Sequence, residues 1–559
     1  MFSFFLQRRL LAFLLPLAFV LTAYLYLYPI VHGCAFPSPN SSRVRDSLDT
    51  ASQHAGVSSS ADARVIPFRL LALGDPQLEG DSAVAKSKAP LFNFLKQLRA
   101  DQSEPQSFSE SLSALPARGL LFVLDDVPST LRGWRKQFDL FGNDYYLAHI
   151  YRTVRWWTRP THIAVLGDLL GSEWVSDEEF ERRSSRFWQI VFRGGHKVEH
   201  FAESEVRSEP LNSKEDNWSR NIISIVGNHD VGYAGDMTPS KVERFERDFG
   251  DVNWNIRFQL LEDPANNNES TPDIDDSPEL RLVVLNSMNL DTPAFDSRLQ
   301  GETYDFLNDV VRTSRDVQDR RVATVLLTHV PLYKEEGVCV DAPFVTYNEE
   351  IYGSGISEQN HLSYHSTQAV LESLYGMSPD PNAYGGGIGR KGIILTGHDH
   401  EGCDVYHHVS ADTAGKETDK WWKAIRWGDA KSVASATDRP GIREVTVRSM
   451  MGDFGGNAGL LSGWYDYDTT TWHFEYSTCA LGTQHVWWTV HIIDLIVTLV
   501  VIFQVANWFQ GKGISTSDAA QQGARKKTTS ATAPRDGTTT PHSSSSSAVP
   551  GKGTARKRH

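Results

Sequence analysis

The stretch NIISIVGNHD, residues 221–230, sets a run of apolar and β-branched residues directly before an Asn-His-Asp turn. Five further apolar runs also end in polar residues. They are RLLALGD (69–75), THIAVLGD (161–168), LRLVVLNS (280–287), RVATVLLTH (321–329) and GIILTGHDH (392–400). Short apolar runs without clean polar alternation indicate strands buried on both faces, which is typical of sheets covered by helices. The sequence therefore predicts an α/β fold.

Five of the six runs end in Asp, Asn or His. These residues are Asp75 in GDPQ, Asp168 in GDLL, Asn228, His229 and Asp230 in GNHD, His329 in THVPL, and His398 and His400 in GHDH. Ligands of α/β folds bind beyond the carboxyl ends of the strands, so we expect these side chains to meet. Mixed oxygen and nitrogen donors suit Mn, Fe or Zn, and a pair of such ions activates water for attack on phosphorus. One such motif alone is more often a turn or a core histidine, but the ordered set predicts a two-metal phosphoesterase.

Two apolar segments flank this region. Leu10–Val31 carries no charge and is long enough, at ~1.5 Å per residue, to cross a hydrocarbon core of ~30 Å. Cleavage as a signal peptide near Gly33 is the alternative, although the apolar stretch is longer than signal peptides usually have. Trp487–Phe509 is the second segment, with tryptophans at both ends as in an interfacial aromatic belt.

Charges outside these segments predict the topology. Arg8 and Arg9 precede the first segment, and from Gln510 onward the chain carries nine Lys or Arg against two Asp. Positive charge on the outer side of both segments places both termini in the cytosol. We therefore predict a cytosolic N-terminus at 1–9, transmembrane helices at 10–31 and 487–509, and a disordered basic tail at 510–559. A lumenal linker at 32–66 and a folded lumenal domain at 67–480 lie between them.

Sequons and cysteines agree with a lumenal domain. N-glycosylation sequons begin at Asn40, Asn217 and Asn268, and the cysteines are Cys34, Cys339, Cys403 and Cys479. An oxidising compartment permits disulfides, and four cysteines allow three pairings. Cys339 follows His329 and Cys403 follows His400, so both emerge on the side of the candidate site. We expect a disulfide between these two cysteines, which would fasten two loops of the site.

The motifs resemble the calcineurin-like metallophosphoesterase superfamily, whose pattern is D-x-H, GD-x-x-D, GNH-D/E, H and GH-x-H. The resemblance covers roughly residues 67–480 and implies a sandwich of two β-sheets flanked by helices. It also implies that Asp168 bridges two metal ions. Asp75 and His400 would complete one metal site, and Asn228, His329 and His398 the other.

The resemblance implies catalytic roles for the rest of the GNHD turn. His229 would protonate the leaving alkoxide or stabilise the phosphoryl charge, and Asp230 would orient its imidazole. Two positions depart from the superfamily pattern. Gln77 stands where a histidine ligand is usual, and its amide oxygen, a weaker and harder donor, favours manganese over zinc. GDLLGSEW lacks the usual second Asp. By the resemblance, that Asp would support the residues of the first motif and would not itself be a metal ligand.

A narrower resemblance rests on the DPQ opening, GDLLGSEW and GSGISEQNHLSYHSTQ (353–368), together with the two membrane segments. These features are similar to fungal endoplasmic-reticulum enzymes that remove ethanolamine phosphate from a mannose of the glycosylphosphatidylinositol (GPI) glycan. The resemblance implies a phosphodiesterase of the endoplasmic-reticulum membrane with two divalent ions, of which Mn²⁺ is favoured and Zn or Fe remains open. It implies GPI-anchored proteins as substrates and cargo receptors of endoplasmic-reticulum export as partners. With a net charge of −14, no nucleic-acid partner is expected.

Two other functions stay open at this point. The same scaffold could serve a lumenal phosphomonoesterase or nucleotide hydrolase, since the metal chemistry does not separate monoesters from diesters. A non-enzymatic cargo-sorting protein with a degraded metal site is the other, suggested by Gln77. Retention of Asp168, Asn228, His229, His329, His398 and His400 argues against it.

Overall fold

The structure is a computed structural model. It describes residues 2–39, 42–56, 66–80, 127–199, 207–211, 218–261, 277–340, 342–349, 355–410, 421–432 and 440–528. The asparagines of the three sequons, Asn40, Asn217 and Asn268, lie outside the described residues, as does the part of the predicted tail beyond Thr528.

The described helices and strands follow one another in a largely alternating order. The helices are α1 (Phe2–Val31), α2 (Arg43–His54), α3 (Val127–Thr158), α4 (Asp177–Arg186), α5 (Asn228–Val231), α6 (Pro239–Phe249), α7 (Ser297–Arg312), α8 (Tyr364–Ser373), α9 (Trp427–Ser432) and α10 (Gln484–Thr528). The strands are β1 (Phe68–Leu73), β2 (His162–Val165), β3 (His196–Lys197), β4 (Arg207–Pro210), β5 (Asn221–Ser224), β6 (Trp254–Gln259), β7 (Glu279–Val284), β8 (Val322–Leu327), β9 (Val345–Tyr347), β10 (Ile356–Gln359), β11 (Lys391–Thr396), β12 (Cys403–Val409), β13 (Trp422–Arg426), β14 (Gly441–Thr446), β15 (Asn457–Asp466) and β16 (Thr471–Ala480).

The described strands form two large sheets and one short hairpin. The first sheet has the order β16-β15-β1-β2-β5-β3, and the second has the order β13-β12-β14-β11-β8-β7-β6-β4. All six predicted runs are strands. β1, β2 and β5 are parallel neighbours in the first sheet, and β7, β8 and β11 are parallel neighbours in the second. The loops that follow these strands therefore gather at one edge of each sheet.

The core has two layers, because the central strands are buried on both faces. Side chains from both sheets form one apolar cluster; it includes Leu70, Ala164 and Ile223 from the first sheet and Leu282, Val325 and Ile393 from the second. The alternate residues Leu71, Ile163 and Ile222 belong to a second cluster, which also contains side chains of α3, α4 and α6. The architecture is thus a mixed α/β arrangement of two large sheets flanked by helices.

Among the described residues, two helical segments are long and apolar enough to cross a membrane. They are Arg9–Val31, with a mean hydropathy of 2.3, and Gln484–Phe509, with a mean hydropathy of 2.2. α10 continues to Thr528, so the first part of the predicted tail is helical in the structure. The described chain divides into two compact units: Leu17–Ile493 contains both sheets, and the smaller unit contains the described residues 2–16 and 494–528.

All four cysteines are paired. Cys339 bonds Cys403, as the sequence predicts, and Cys34 bonds Cys479. The first bond joins the loop after β8 to the start of β12. The second fastens the chain just beyond α1 to the end of β16.

Candidate metal centre

The residues at the strand ends have an unusual backbone. Asp75, Gln77, Asp168 and His398 all have positive φ, at 38°, 39°, 49° and 73°. Non-glycine residues adopt this left-handed region at a cost, and such strain gathers at functional sites because surrounding contacts hold it. The loops are therefore shaped to aim these side chains inward.

Glycines precede the candidate ligands because the loops approach each other closely. Gly167 has φ +93°, and a Cβ built on it would lie 2.1 Å from Nδ1 of His329. A Cβ on Gly227 would lie 2.2 Å from the backbone nitrogen of Asp168. The glycines in the GD and GNHD motifs thus let the two loops and His329 converge.

His329 presents an unprotonated nitrogen to the centre. Its Nδ1 lies 2.7 Å from the carbonyl oxygen of Leu166, so Nδ1–H donates that hydrogen bond. Burial lowers the pKa of His329, which keeps the ring neutral and leaves Nε2 with a lone pair. Nε2 faces Oδ1 of Asn228 at 3.0 Å and Oδ1 of Asp168 at 3.4 Å. The lone pair of His329 Nε2 therefore faces two acceptor oxygens, which is a repulsive arrangement.

His398 repeats the pattern from the other side. Its Nε2 donates to the carbonyl oxygen of Gln359 at 2.7 Å, and its Nδ1 faces Oδ1 of Asn228 at 3.0 Å. Burial, with help from His329, lowers the pKa of His398 to about 3. Lone pairs of two imidazoles and one amide oxygen thus converge, and a divalent cation among them would turn this repulsion into coordination.

A second group shares Asp168 with the first. Ligand atoms of Asp168, His329 and His398 lie within 4.8 Å of one another, and so do those of Asp75, Asp168 and His400. The structure therefore brings together all the predicted ligands and divides them into two groups around Asp168. Their role as ligands remains a prediction.

Gln77 lies at the second group through its side-chain amide. Its Nε2 donates to Oδ2 of Asp168 at 3.0 Å and lies 3.2 Å from Nε2 of His400. In this orientation the amide nitrogen, not the oxygen, faces the site. Coordination through Gln77 would require the amide to turn by half a rotation about its last torsion.

The Asp75 carboxylate fits a cation. Oδ1 accepts a hydrogen bond from the backbone N–H of His398 at 3.0 Å, whereas buried Oδ2 has no hydrogen-bond partner in the described part of the chain. Burial, and then the charge of Asp168, raises the pKa of Asp75 well above its ordinary range. Burial would also raise the pKa of Asp168, but His329 and His229 lower it. Divalent ions would offset both the burial and the repulsion, so the donor set fits the predicted metals.

His229 lies beside the ligands and is reached by solvent. Its backbone N–H donates to Oδ1 of Asp168 at 2.8 Å, while its Nε2 lies 3.9 Å from Oδ2 of the same residue. The side chain is 38% exposed and lines a cleft of about 820 Å³ above the candidate ligands. The ring is therefore placed to reach a group bound in the cleft.

The Asp230 carboxylate is held by the backbone. It accepts hydrogen bonds from the backbone N–H groups of Gly227, Leu169 and Leu170, at 2.9, 3.2 and 3.0 Å. Both of its oxygens are engaged with the backbone, and its role in orienting the His229 imidazole stays a prediction. Asp230 joins the GNHD turn to the loop that carries Asp168.

The walls of the cleft contain residues that sequence analysis did not assign. Carboxylates of Glu173, Asp236 and Glu358 line it, and Trp174 stands at its rim with 75% exposure. The Lys241 ammonium lies 2.9 Å from Asp236 and 4.5 Å from the centre of the Trp174 ring. Glu173 and Trp174 end GDLLGSEW, and Glu358 lies in GSGISEQNHLSYHSTQ. These two stretches carried the narrower resemblance, so they were the sequence signal that could have pointed to the walls of the cleft.

Comparison of the whole chain with known proteins agrees with this geometry. The chain is 33% identical to Protein TED1 of Saccharomyces cerevisiae over 412 residues, which are 65% of this chain and 77% of that protein. It is 24% identical to an uncharacterized protein of Schizosaccharomyces pombe over 66% of this chain and 81% of that protein. It is 24% identical to Metallophosphoesterase 1 of Danio rerio over 52% of this chain and 65% of that protein. No model of a protein family matches the chain.

Proposed function

The chain belongs to the metallophosphoesterase family that includes Protein TED1 and Metallophosphoesterase 1, and from this premise we propose its reaction. It is a phosphodiesterase of the endoplasmic-reticulum membrane that removes ethanolamine phosphate from a mannose of the GPI glycan. GPI-anchored proteins are its substrates before export. Cargo receptors of that export step are its expected partners.

The observation that carries the proposal is the sharing of Asp168 by the two candidate ligand groups. Asp75 and His400 would hold one ion with it, and Asn228, His329 and His398 the other. When bound, the ions would supply an activated water and neutralise phosphoryl charge. Mn²⁺ is the proposed metal, because Gln77 replaces a histidine donor with an amide.

The protein's own side chains supply binding and proton transfer. The cleft admits the phosphodiester above the ligands, and His229 projects into it from the GNHD turn. The mannose hydroxyl is a poor leaving group, so a proton delivered by the His229 imidazole to its oxygen would speed departure by ~10²–10⁴-fold. Asp168 holds the backbone N–H of His229 and thereby fixes the turn that carries this ring.

The cleft also supports the choice of substrate. A free ethanolamine phosphate product carries an ammonium group beside its phosphate. Carboxylates of Glu173 and Glu358 line the wall beyond the candidate ligands and would attract that ammonium, whereas Asp236 in the same wall is paired with Lys241. A volume of about 820 Å³ is ample for ethanolamine phosphate together with part of a sugar chain.

The proposed compartment follows from the ends of the chain and the disulfides. Two helices are compatible with a membrane protein, and basic residues flank both on the outer side. Cytosolic termini would place the catalytic domain in the lumen. Two disulfides suit that oxidising compartment.

Turnover of two substrates by the same sample tests the proposal. The full-length protein in detergent, stripped of metal and reloaded with Mn²⁺, is given a GPI glycan carrying ethanolamine phosphate or a simple phosphomonoester. We expect mass spectrometry to detect free ethanolamine phosphate and the shortened glycan, with little phosphate released from the monoester. Asp168→Ala is the inactive control. Preferred hydrolysis of the monoester, or no release from the glycan by metal-loaded protein, would contradict the proposal.

A further inference from the structure

The first half of α3 carries an exposed apolar stripe. Its members are Leu131, Trp134, Phe138, Phe141 and Tyr145, with exposures of 56%, 59%, 66%, 55% and 39%. Their spacing of three and four residues puts them on one side of the helix. Soluble surfaces carry single exposed apolar residues without consequence, but a row of five, four of them aromatic, marks an interaction surface.

The stripe is continuous with both candidate membrane helices. Gly142 is one turn from Phe138 on the same side, and a Cβ on Gly142 would lie 1.8 Å from the Trp488 ring near the start of α10. His149 is one turn from Tyr145, and its ring meets Tyr26 of α1 edge to face, with centroids 4.9 Å apart. The Tyr145 end of the stripe therefore adjoins the contacts of α3 with α1 and α10.

Charged residues of α3 flank the stripe. Arg132, Arg135 and Asp139 are exposed on the adjoining face of the helix, where Arg135 pairs with Asp139 at 3.8 Å. An interfacial helix has this arrangement, with aromatic and aliphatic side chains toward the acyl region and a charged face toward water. The mean hydropathy of such a helix is too low for it to span a membrane, and α3 accordingly lies outside the segments that could span one.

The geometry points to a lipid bilayer as the partner of this stripe: residues 131–145 of α3 lie in the lumenal membrane interface beside the two transmembrane helices. This inference rests on the proposed membrane attachment of α1 and α10. It does not rest on the proposed reaction. No other surface has to be assumed, since the proposed attachment already places the neighbouring apolar helices in lipid.

The interface helix would hold the catalytic centre close to the membrane. On another side of α3, Lys136 forms an ion pair with Glu79, which follows the Asp75 and Gln77 loop by two residues. Phe454 packs edge-on against His400 with centroids 4.7 Å apart, and Gly452 in the same turn approaches Gln484 at the start of α10. Two loops of the site are thus fastened to the membrane-proximal elements, which suits a substrate that is itself held in the membrane.

Site-directed spin labelling of the full-length protein in phosphatidylcholine nanodiscs tests the inference. Since all four native cysteines are paired, a new thiol is labelled selectively. Nitroxides are placed through Phe138→Cys and Phe141→Cys on the stripe and through Asp139→Cys, the exposed control on the charged face of α3. We expect the stripe labels to be relaxed by oxygen rather than by a water-soluble nickel complex, at a depth of ~5–10 Å. The control should show the reverse preference.

Two results would overturn the inference. Preferential relaxation by the nickel complex at Phe138→Cys and Phe141→Cys would place the stripe in water. Shielding from both reagents would show that protein covers it, either another segment of this chain or a second copy.

If a labelled variant fails to fold, brominated phosphatidylcholine gives a second readout. It should quench the tryptophan fluorescence of the parent more than that of Trp134→Phe. Equal quenching would also contradict the inference. None of these readouts depends on catalysis, so they stay distinct from a failure of the proposed reaction.

Discussion

His229 adjoins the candidate ligands without belonging to either group. Its ring is exposed to the cleft, and only its backbone is bound to Asp168. We expect His229→Ala to lower turnover of the glycan phosphodiester by ~10²–10⁴-fold while bound metal is unchanged. Steady-state rates together with elemental analysis of the variant check this.

An aryl phosphodiester serves as the control, since its leaving group needs no proton. The loss caused by His229→Ala should be much smaller on that substrate. Equal losses on both substrates would mean that His229 stabilises phosphoryl charge and does not protonate the leaving group. Loss of metal would place it in the ligand set.

Substitution of Gly167 tests whether the close approach between its loop and His329 is needed for activity. Gly167→Ala should displace His329, because the new Cβ would lie 2.1 Å from its Nδ1, and misplacement by about 1 Å can cost ~10²-fold in rate. Gly194→Ala is the matched control. Gly194 has a similar φ of +86° but nothing within 4 Å of the added Cβ. Similar rates for both variants would show that the close approach to His329 does not matter.

Sequence predicted the ligand positions better than their supporting contacts. Asp75, Asp168, Asn228, His329 and His398 follow strands whose carboxyl ends meet, so their convergence follows from the pattern. The contacts of Asp230 depend on which way a turn side chain points, and three backbone N–H groups hold it in a direction that the sequence does not reveal. Glu173 lies in a loop and Glu358 in β10, and their sequences do not reveal that they line one wall of the cleft.

At the scale of elements, a buried charged network anchors the loop after β8. Glu444 on β14 accepts a hydrogen bond from the backbone N–H of Leu332 at 2.8 Å and pairs with Lys334 at 3.0 Å and His407 at 2.7 Å. All three charged or polar side chains are at most 1% exposed. Burial would raise the pKa of Glu444, but Lys334 and then His407 hold it at about 2. The network fixes a loop that begins at the candidate ligand His329.

Glu444→Gln should destabilise the fold by about 3–5 kcal/mol, because it leaves the Lys334 ammonium buried without its partner. Denaturant unfolding in detergent measures this. Glu475→Gln, at a half-exposed carboxylate, should cost less than about 1 kcal/mol. Since the folded pKa of Glu444 is depressed, its contribution is present above the unfolded pKa of about 4.3 and is lost as pH falls toward 2. Equal stabilities of the two variants would contradict this role.

Strands with continuous apolar runs could be predicted from the sequence, whereas strands that mix apolar residues with Gly and Ser could not. All six runs are strands buried on both faces. β15 is also buried along most of its length, but Gly459, Ser462 and Gly463 interrupt its apolar pattern. Its burial comes from pairing with β1 and β16, a tertiary effect that a short window of sequence does not contain.

At the scale of the whole molecule, the family resemblance implied two sheets but did not say which strands belong to each. Runs that are apolar on both faces fit either sheet equally well, so only long-range pairing decides. The first strand of the two sheets starts at Phe68 and the last ends at Ala480, while the domain limits of 67 and 480 stay a prediction. The bond between Cys34 and Cys479 joins the chain just beyond α1 to the end of β16.

The central claim is that two ions share Asp168, and metal stoichiometry tests it most directly. Asp168→Ala and the exposed control Asp305→Ala on α7 are purified as full-length proteins, equilibrated with Mn²⁺, dialysed, and analysed by inductively coupled plasma mass spectrometry. The parent and Asp305→Ala should hold two ions per chain, whereas Asp168→Ala, which loses a ligand from both sites, should hold less than one. Two tightly bound ions in folded Asp168→Ala would contradict the claim.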